Sequence, residues 1–291
     1  MIERLLILGE SGQLAQALAH AARRNGVDPV LAGRARADLE TRGPVSALIE
    51  SWRPQVVINA AAYTSVDKAE QEPERAHAVN VEGAAEAAQA CAKAGAHFIH
   101  VSTDYVFSGG GPHDESSTPT PISVYGASKL AGERAVVDAA PGAAVVRAAG
   151  VFSGRGQDFP SAIWRLAHRP EPIRVVEDQL VTPVFADDLA ERLLALAGAR
   201  DASGVFHCGG APGASWCAVA NEALDALAEA GGPRRRAEAI ASTEFPRPAQ
   251  RPSDSRLCGT RLTHATGLEA PDWARSLRIA VARWRETHSK Q

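Results

Sequence analysis

Tyr125 and Lys129 carry the clearest chemical signal in the chain. They stand four residues apart in Val124-Tyr125-Gly126-Ala127-Ser128-Lys129-Leu130, so on a helix they share one face. The chain has only three tyrosines and four lysines. A Tyr-x-x-x-Lys spacing is then expected by chance only about 0.04 times, which weakens the alternative of an incidental exposed pair. A phenol with a pKa of about 10 is a poor proton donor near neutrality. A lysine ammonium beside it stabilises the phenolate and brings that value toward the working range. The pair therefore reads as the proton donor to a carbonyl undergoing reduction. Upstream, Ser102-Thr103-Asp104 closes an apolar run, and Thr103 is expected to hydrogen-bond the same carbonyl oxygen, where negative charge develops. That reaction needs no metal. The nine histidines include no His-Glu-x-x-His pattern, and ordinary structural roles are expected for them, His97, His100 and His113 included. A Gly-x-Ser-x-Gly elbow for acyl transfer is also absent from the sequence.

Reduction requires a hydride donor, and the N-terminal segment offers a cradle for one. Gly9-Glu10-Ser11-Gly12-Gln13-Leu14-Ala15 follows the apolar run Leu5–Leu8 and opens an alanine-rich helical stretch. Gly9 would permit a tight turn, Gly12 a close backbone approach to pyrophosphate, and Ala15 close packing of helix on strand. The helix start offers N–H groups and the positive dipole end to the diphosphate, with Ser11, Gln13 and Leu14 in the same turn. A purely structural strand-to-helix turn is the alternative. After the second strand, Arg34 and Arg36 occupy the place where an NAD site usually puts a carboxylate. Two guanidinium groups there favour a 2′-phosphate, hence NADPH; a solvated basic loop is the other reading. Asp38 and Leu39 are placed beside the adenine. In Asn59-Ala60-Ala61-Ala62-Tyr63 the small residues let a cofactor run close to the backbone, and Lys129 is expected on the nicotinamide ribose next to Tyr125.

The elements that must position these residues alternate. Leu5–Leu8, Val30–Ala32, Val56–Asn59, Phe98–Ser102 and Ala144–Arg147 read as buried strands, and Gln13–Asn25, Val45–Ser51, Ala76–Ala94 and Val124–Ala139 as helices. Strand–helix–strand order predicts a Rossmann-type, doubly wound parallel α/β sheet. Past Gly150 prolines and glycines become frequent, with strands at Ile173–Val176 and Val205–Cys208 and helices over 187–199, 216–230 and from Trp273 onward. We therefore divide the chain into an NADP-binding domain, 1–150, and a mainly substrate-binding lobe, 151–291, with later segments free to rejoin the sheet. At 291 residues the chain suffices for a domain plus a lobe. A net charge of −3 gives no basic footprint for nucleic acid. The four cysteines lack any Cys-x-x-Cys spacing and read as reduced thiols. The N-terminal apolar run is too short for a signal peptide and follows an acidic Glu3, and no segment approaches a membrane span, so a cytoplasmic location is expected.

These residues, taken together, resemble the extended short-chain dehydrogenase/reductases, and more narrowly the dTDP-4-dehydrorhamnose reductase family. The likeness runs nearly the whole chain. It is most specific at Gly9-x-x-Gly12-Gln13-Leu14, at Asn59 to Glu70 with Tyr63, Val66 and Asp67, and at Ala78-Val79-Asn80. It continues through Ser102 to Phe107, Tyr125 to Glu133, Asp178-Gln179 and Arg251-Pro252-x-x-Ser255-x-Leu257. The resemblance implies NADPH-dependent reduction of a dTDP-linked 4-keto-6-deoxy sugar, with Val66, Thr103, Asp104, Gly150, Gln179 and Arg251 facing the substrate and Arg251 a candidate for its diphosphate. A reductase for another nucleotide 4-keto sugar and a non-catalytic NADP-binding regulatory subunit are the alternatives; a homodimer is left open. The family's Arg-x-x-Trp-Val-Tyr run is here Arg147-Ala148-Ala149-Gly150-Val151-Phe152, which predicts a more open sugar pocket. Asp178-Gln179-Leu180-Val181-Thr182-Pro183-Val184 departs at Val181 and Val184. Some relatives hold magnesium through an acidic side chain of the first helix; Ala17 stands at that position and offers no oxygen ligand, so metal-independent activity is expected.

Overall fold

The computed structural model describes residues 2–288. Its strands are β1 (Leu5–Leu8), β2 (Val30–Ala32), β3 (Val56–Asn59), β4 (His97–Thr103), β5 (Ala144–Ala148), β6 (Ile173–Val176), β7 (Leu180–Val181), β8 (Gly204–Cys208), β9 (Ala214–Ser215) and β10 (Ala237–Ile240). Six of them form one parallel sheet in the order β2-β1-β3-β4-β5-β8. Strands β1, β3 and β5 are buried at every position, as a parallel sheet covered on both faces requires, with Asn59 and Arg147 their polar members. Helices Gln13–Arg24 and Ala186–Gly198 cover one face through Leu14, Leu18, Leu189 and Leu193. Helices Pro44–Trp52, Ala84–Ala94 and Val124–Ala139 cover the other through Ile49, Ala87 and Val136.

Strand order reverses between β1 and β3, so the crevice outside their C-terminal ends is the place where such a sheet binds ligands. Gly9 leaves β1 at φ 111°, a conformation that L side chains rarely adopt. A Cβ there would stand 3.5 Å from the Ala15 Cβ and from the backbone of Ala60 and Ala61. The loops after β1 and β3 therefore meet at the switch point.

Of the later segments left free to rejoin the sheet, the strand at Val205–Cys208 does so, pairing as β8 with β5. The helix anticipated over Ala76–Ala94 starts at Pro73 and contains a π-helical turn, Ala78–Gly83. Within that turn Asn80 binds the backbone of Tyr63 on both sides and donates to Ser128 Oγ. A Cβ on Gly83 would collide with the Leu39 carbonyl. The bulge thus turns Asn80 toward its partners, as such bulges commonly do at functional sites. The lobe has its own core, built by helices Phe159–Ala167, Trp216–Glu229 and Trp273–His288 around Trp164, Leu224 and Leu277. Within it β6 pairs with β10, and β7 with β9.

Candidate active site

Thr103 ends β4, and the helix Val124–Ala139 lies hard against that end. Ser123 caps the helix, its Oγ accepting from Gly126 N at 3.1 Å. A Cβ on Gly126 would collide with the Tyr105 carbonyl oxygen, so only glycine allows this approach. Thr103, Tyr125 and Lys129 are all buried here, and the Thr103 hydroxyl hydrogen-bonds the Tyr125 phenol. Thr103 Oγ1 also donates to Asp104 Oδ1 at 3.1 Å, and Ser255 Oγ donates to Asp104 Oδ2 at 2.6 Å. Burial pushes the Asp104 carboxyl up to about 6 against these hydrogen bonds.

The electrostatics correct one expectation. Lys129 was anticipated to draw the phenol toward neutrality; instead burial pushes Tyr125 well above its ordinary value, and the Thr103 hydrogen bond offsets only part of this. Lys129 Nζ is committed elsewhere: it donates to Val101 O at 2.8 Å and lies 3.4 Å from His100 Nε2. Burial also pushes this amine down to about 8, with Glu133 acting against it. Tyr125 consequently keeps its proton near neutrality, the form that a donor to a nascent alkoxide must have.

On the cofactor side, the helix Gln13–Arg24 begins at Gly12 without a side-chain cap and without an acidic residue in its first turn, leaving its N–H groups open to an anion. Gln13 Nε2 donates to Val151 O at 3.0 Å while its buried Oε1 has no partner. Ser11 is exposed, Leu14 is in the core, and nothing lies within 4 Å of a Cβ built on Gly12. Both observations fit a dinucleotide at this loop. Ala60 N donates to Leu8 O at 3.0 Å and Ala61 N to Asn59 Oδ1 at 3.1 Å. Ala61, Ala62 and Tyr63 are half-buried, with the Tyr63 hydroxyl on Glu72. Arg34 and Arg36 are exposed at the end of β2, Arg34 Nε standing 3.9 Å from Asp38 Oδ1. The sequence reading missed Glu10, which folds onto Gly33 so closely that a Cβ there would collide with its carboxylate. Leu39, expected beside the adenine, is buried in the sheet core.

On the substrate side, Val66 packs with Tyr63, Tyr105 and Val124 around Tyr125. Gly150 lies two residues beyond Ala148, the register partner of Thr103, at φ 49°. The open pocket expected from this glycine is not found. Trp216 Cη2 comes within 3.1 Å of where a Gly150 Cβ would stand, and Trp216 N donates to the Gln179 carbonyl at 3.2 Å. An indole from the lobe occupies the space, backed by Phe159 at 4.6 Å between ring centroids. Phe152 lies in the core against Phe185 rather than in the cleft. Arg251 is engaged bidentately by Asp67, at 2.6 and 2.9 Å, and hydrogen-bonds Tyr105. Arg251, with Arg247, holds Asp67 far below the usual carboxylate range. A diphosphate reaching Arg251 would have to share it with Asp67.

Behind the catalytic helix runs a buried polar network that the sequence did not announce. Glu133, one turn beyond Lys129, takes a bidentate bond from Arg147 of β5 and a 2.5 Å bond from Ser102 Oγ of β4. Arg147 Nη1 lies 3.3 Å from His207 Nε2 on β8, and His207 Nδ1 lies 3.0 Å from the His113 carbonyl. Side-chain contacts between elements distant in sequence leave no trace in local spacing, and the sequence reading did not point to them.

Among the described residues no group of three or more His, Cys, Asp or Glu could hold a metal ion, and no helix is long and apolar enough to cross a membrane. The model of the family described as "RmlD substrate binding domain" matches residues 3–286. The dTDP-4-dehydrorhamnose reductase of Sinorhizobium fredii is 40% identical over 286 residues, covering 96% of each chain. That of Mycobacterium tuberculosis is 40% identical over 287, covering 96% of this chain and 93% of its own. The crystal structure of the Bacillus anthracis dTDP-4-dehydrorhamnose reductase in complex with NADP superposes with a TM-score of 0.90 at 31% identity, covering 97% of this chain and 99% of that one. A UDP-glucose 4-epimerase from Thermus thermophilus shares the fold at a TM-score of 0.80 and 20% identity. With a family model and relatives matching over nearly its whole length, the chain belongs to the RmlD, or dTDP-4-dehydrorhamnose reductase, family.

Proposed function

We propose that this protein is an NADPH-dependent oxidoreductase that reduces the 4-keto group of a nucleotide-linked 6-deoxy sugar, dTDP-4-dehydrorhamnose to dTDP-L-rhamnose. The observation that carries the reading is the buried Thr103–Tyr125 hydroxyl pair beside Lys129, at the C-terminal edge of the sheet that also holds the glycine loop. Gly9, Gly12, Gln13 and the Ala60–Ala62 loop would hold the dinucleotide, with Lys129 at its ribose. NADPH, when bound, supplies the hydride for the carbonyl carbon. Tyr125 donates its proton to the carbonyl oxygen, and Thr103 gives that oxygen a second hydrogen bond as charge develops, its single hydroxyl proton turning from Asp104 Oδ1 to do so. The intact constellation speaks against a regulatory subunit. Activity in the cytoplasm, with a nucleotide sugar as partner and without membrane association, goes with this reading. The test is NADPH oxidation followed by absorbance with dTDP-4-dehydrorhamnose and a panel of other nucleotide 4-keto sugars, with the product identified by NMR. Oxidation with none of them would overturn the reading, and a strong preference for another sugar would reassign the substrate.

A further inference from the structure

Among the described residues Lys129 is the only buried lysine, and what its amine meets on β4 is a histidine. His100 Nε2 lies 3.4 Å from Lys129 Nζ, and Asn59 Nδ2 lies 3.1 Å from His100 Nδ1. The backbone N–H of Ala61 donates to Asn59 Oδ1, which fixes the amide and turns its NH₂ toward the ring. Nδ1 must therefore accept. A neutral imidazole has one donor and one acceptor nitrogen, so the ring proton goes to Nε2 and points at Lys129. An ammonium has no lone pair with which to take it; a neutral amine has one.

We propose that His100 is a positioning residue for the catalytic lysine: locked by Asn59 and Ala61 as its Nε2–H form, it donates to Lys129 Nζ and favours the neutral amine. The proposal rests on the assignment of Lys129 to the catalytic set. The other groups acting on this site are Glu133, one turn further along the helix, which favours the ammonium, and Tyr125, Asp104 and Tyr105 around the phenol. From β4, Phe98 stacks its ring near His100 at 6.3 Å between centroids and carries no charge. Burial holds His100 uncharged, well below its ordinary value. The chain of contacts begins at Ala61, in the loop assigned to the cofactor, so the backbone of that loop and the charge of Lys129 are coupled.

The tautomer can be read directly. Long-range ¹H–¹⁵N spectra of ¹⁵N-histidine protein, with His100 assigned by its loss in His100→Gln, should show Nδ1 unprotonated and Nε2 protonated throughout the neutral range. With only four lysines in the chain, ¹³Cε-lysine spectra should resolve Lys129, assigned by its loss in Lys129→Met. Asn59→Asp keeps an acceptor for Ala61 N–H but puts an oxygen where the NH₂ stood. It should move the ring proton to Nδ1, expose the Nε2 lone pair to Lys129, and raise the proton affinity of that lysine at least about tenfold. The alkaline limb of the kcat/KM profile should move with it. An Nδ1–H ring or an imidazolium in the wild-type protein overturns the proposal, as does a switched tautomer that leaves the Lys129 titration in place. Should Asn59→Asp fail to fold, the wild-type spectrum decides alone. A wild-type protein with the expected tautomer but no reductase activity would leave the coupling standing and sink the functional reading instead.

Discussion

Burial holds the proton on Tyr125, and the same burial lowers Lys129; in the reaction proposed above the first would supply the proton and the second would hold the cofactor ribose beside it. Tyr125→Phe removes the donor while keeping the ring in its packing. Turnover should fall by roughly 10²–10⁴-fold, with NADPH affinity, measured by fluorescence titration, within about threefold of wild type. A variant retaining most of its turnover would remove Tyr125 from the role of acid. Cofactor choice is a second residue-scale question. Arg34 and Arg36 alone argue for the 2′-phosphate, but the Glu10 carboxylate sits over Gly33 at the same corner. There it repels a phosphate and is placed to accept from a ribose hydroxyl. The preference for NADPH should accordingly be moderate, widening in Glu10→Gln and narrowing when Arg34 and Arg36 are both replaced by alanine. Ratios of Kd for NADPH and NADH unmoved by Glu10→Gln would show that the carboxylate does not reach the ribose.

At the scale of elements, the helix Val124–Ala139 is held to two strands through one buried carboxylate, Glu133. Glu133 and Arg147 are each about 4% exposed, and their bonds fix the helix turn after Lys129 to β5, while Ser102 fixes it to β4. Arg147→Met leaves a carboxylate buried without its partner, a change that costs about 3–5 kcal/mol. Arg147→Met with Glu133→Leu replaces both charges by apolar volume and should recover much of that, as urea melts of the set would reveal. Equal losses in the single and double variants would mean that packing, not charge, is what the pair provides. Gly150 makes a related point about elements meeting. Its φ of 49° and the indole tip of Trp216 leave no room for the tryptophan that the family motif places there. Gly150→Trp should lower the melting temperature, and Trp216→Gly in the same chain should restore part of it. Trp216→Ala alone should loosen discrimination among keto sugars. These two elements are adjacent only in space, from the strand after residue 144 and the helix after residue 216. That is why the sequence suggested an empty pocket where the folded chain has a filled one.

For the whole molecule, the sheet was legible because a parallel strand buried on both faces has to be a short, mostly apolar run, and β1, β3 and β5 are such runs, with Asn59 and Arg147 the polar exceptions. The glycine loop and the Tyr-x-x-x-Lys pair were legible because their chemistry depends on local spacing. What escaped reading depends on long-range contact: which later strand rejoins the main sheet, His100 beside Lys129, and Ser255 on Asp104. These buried polar groups also set how the fold responds to acid. Burial, with Arg147 adding to it, pushes His207 down to about 4 from an ordinary 6.5. Between those values the unfolded chain binds a proton that the folded protein refuses. Stability supplied by His207 is therefore full above pH 6.5 and is lost as pH falls toward 4, a loss on the order of 3 kcal/mol. Asp104 works in the opposite sense. Its carboxyl is raised to about 6 from 3.8, so the folded protein takes the proton first, and acidification through the same window relieves a burial cost of similar order. His100, also depressed, adds to the His207 side, so a net loss of stability is expected on acidification. The two opposing contributions separate by mutation: Asp104→Asn deletes the relief and should steepen the acid loss, while His207→Gln deletes part of the loss and should flatten it. Urea midpoints near pH 7 and near pH 5 measure the slope for each protein, independent of any general destabilisation that the substitutions bring. If both variants kept the wild-type difference between the two pH values, neither group would be titrating in the folded protein as its burial requires.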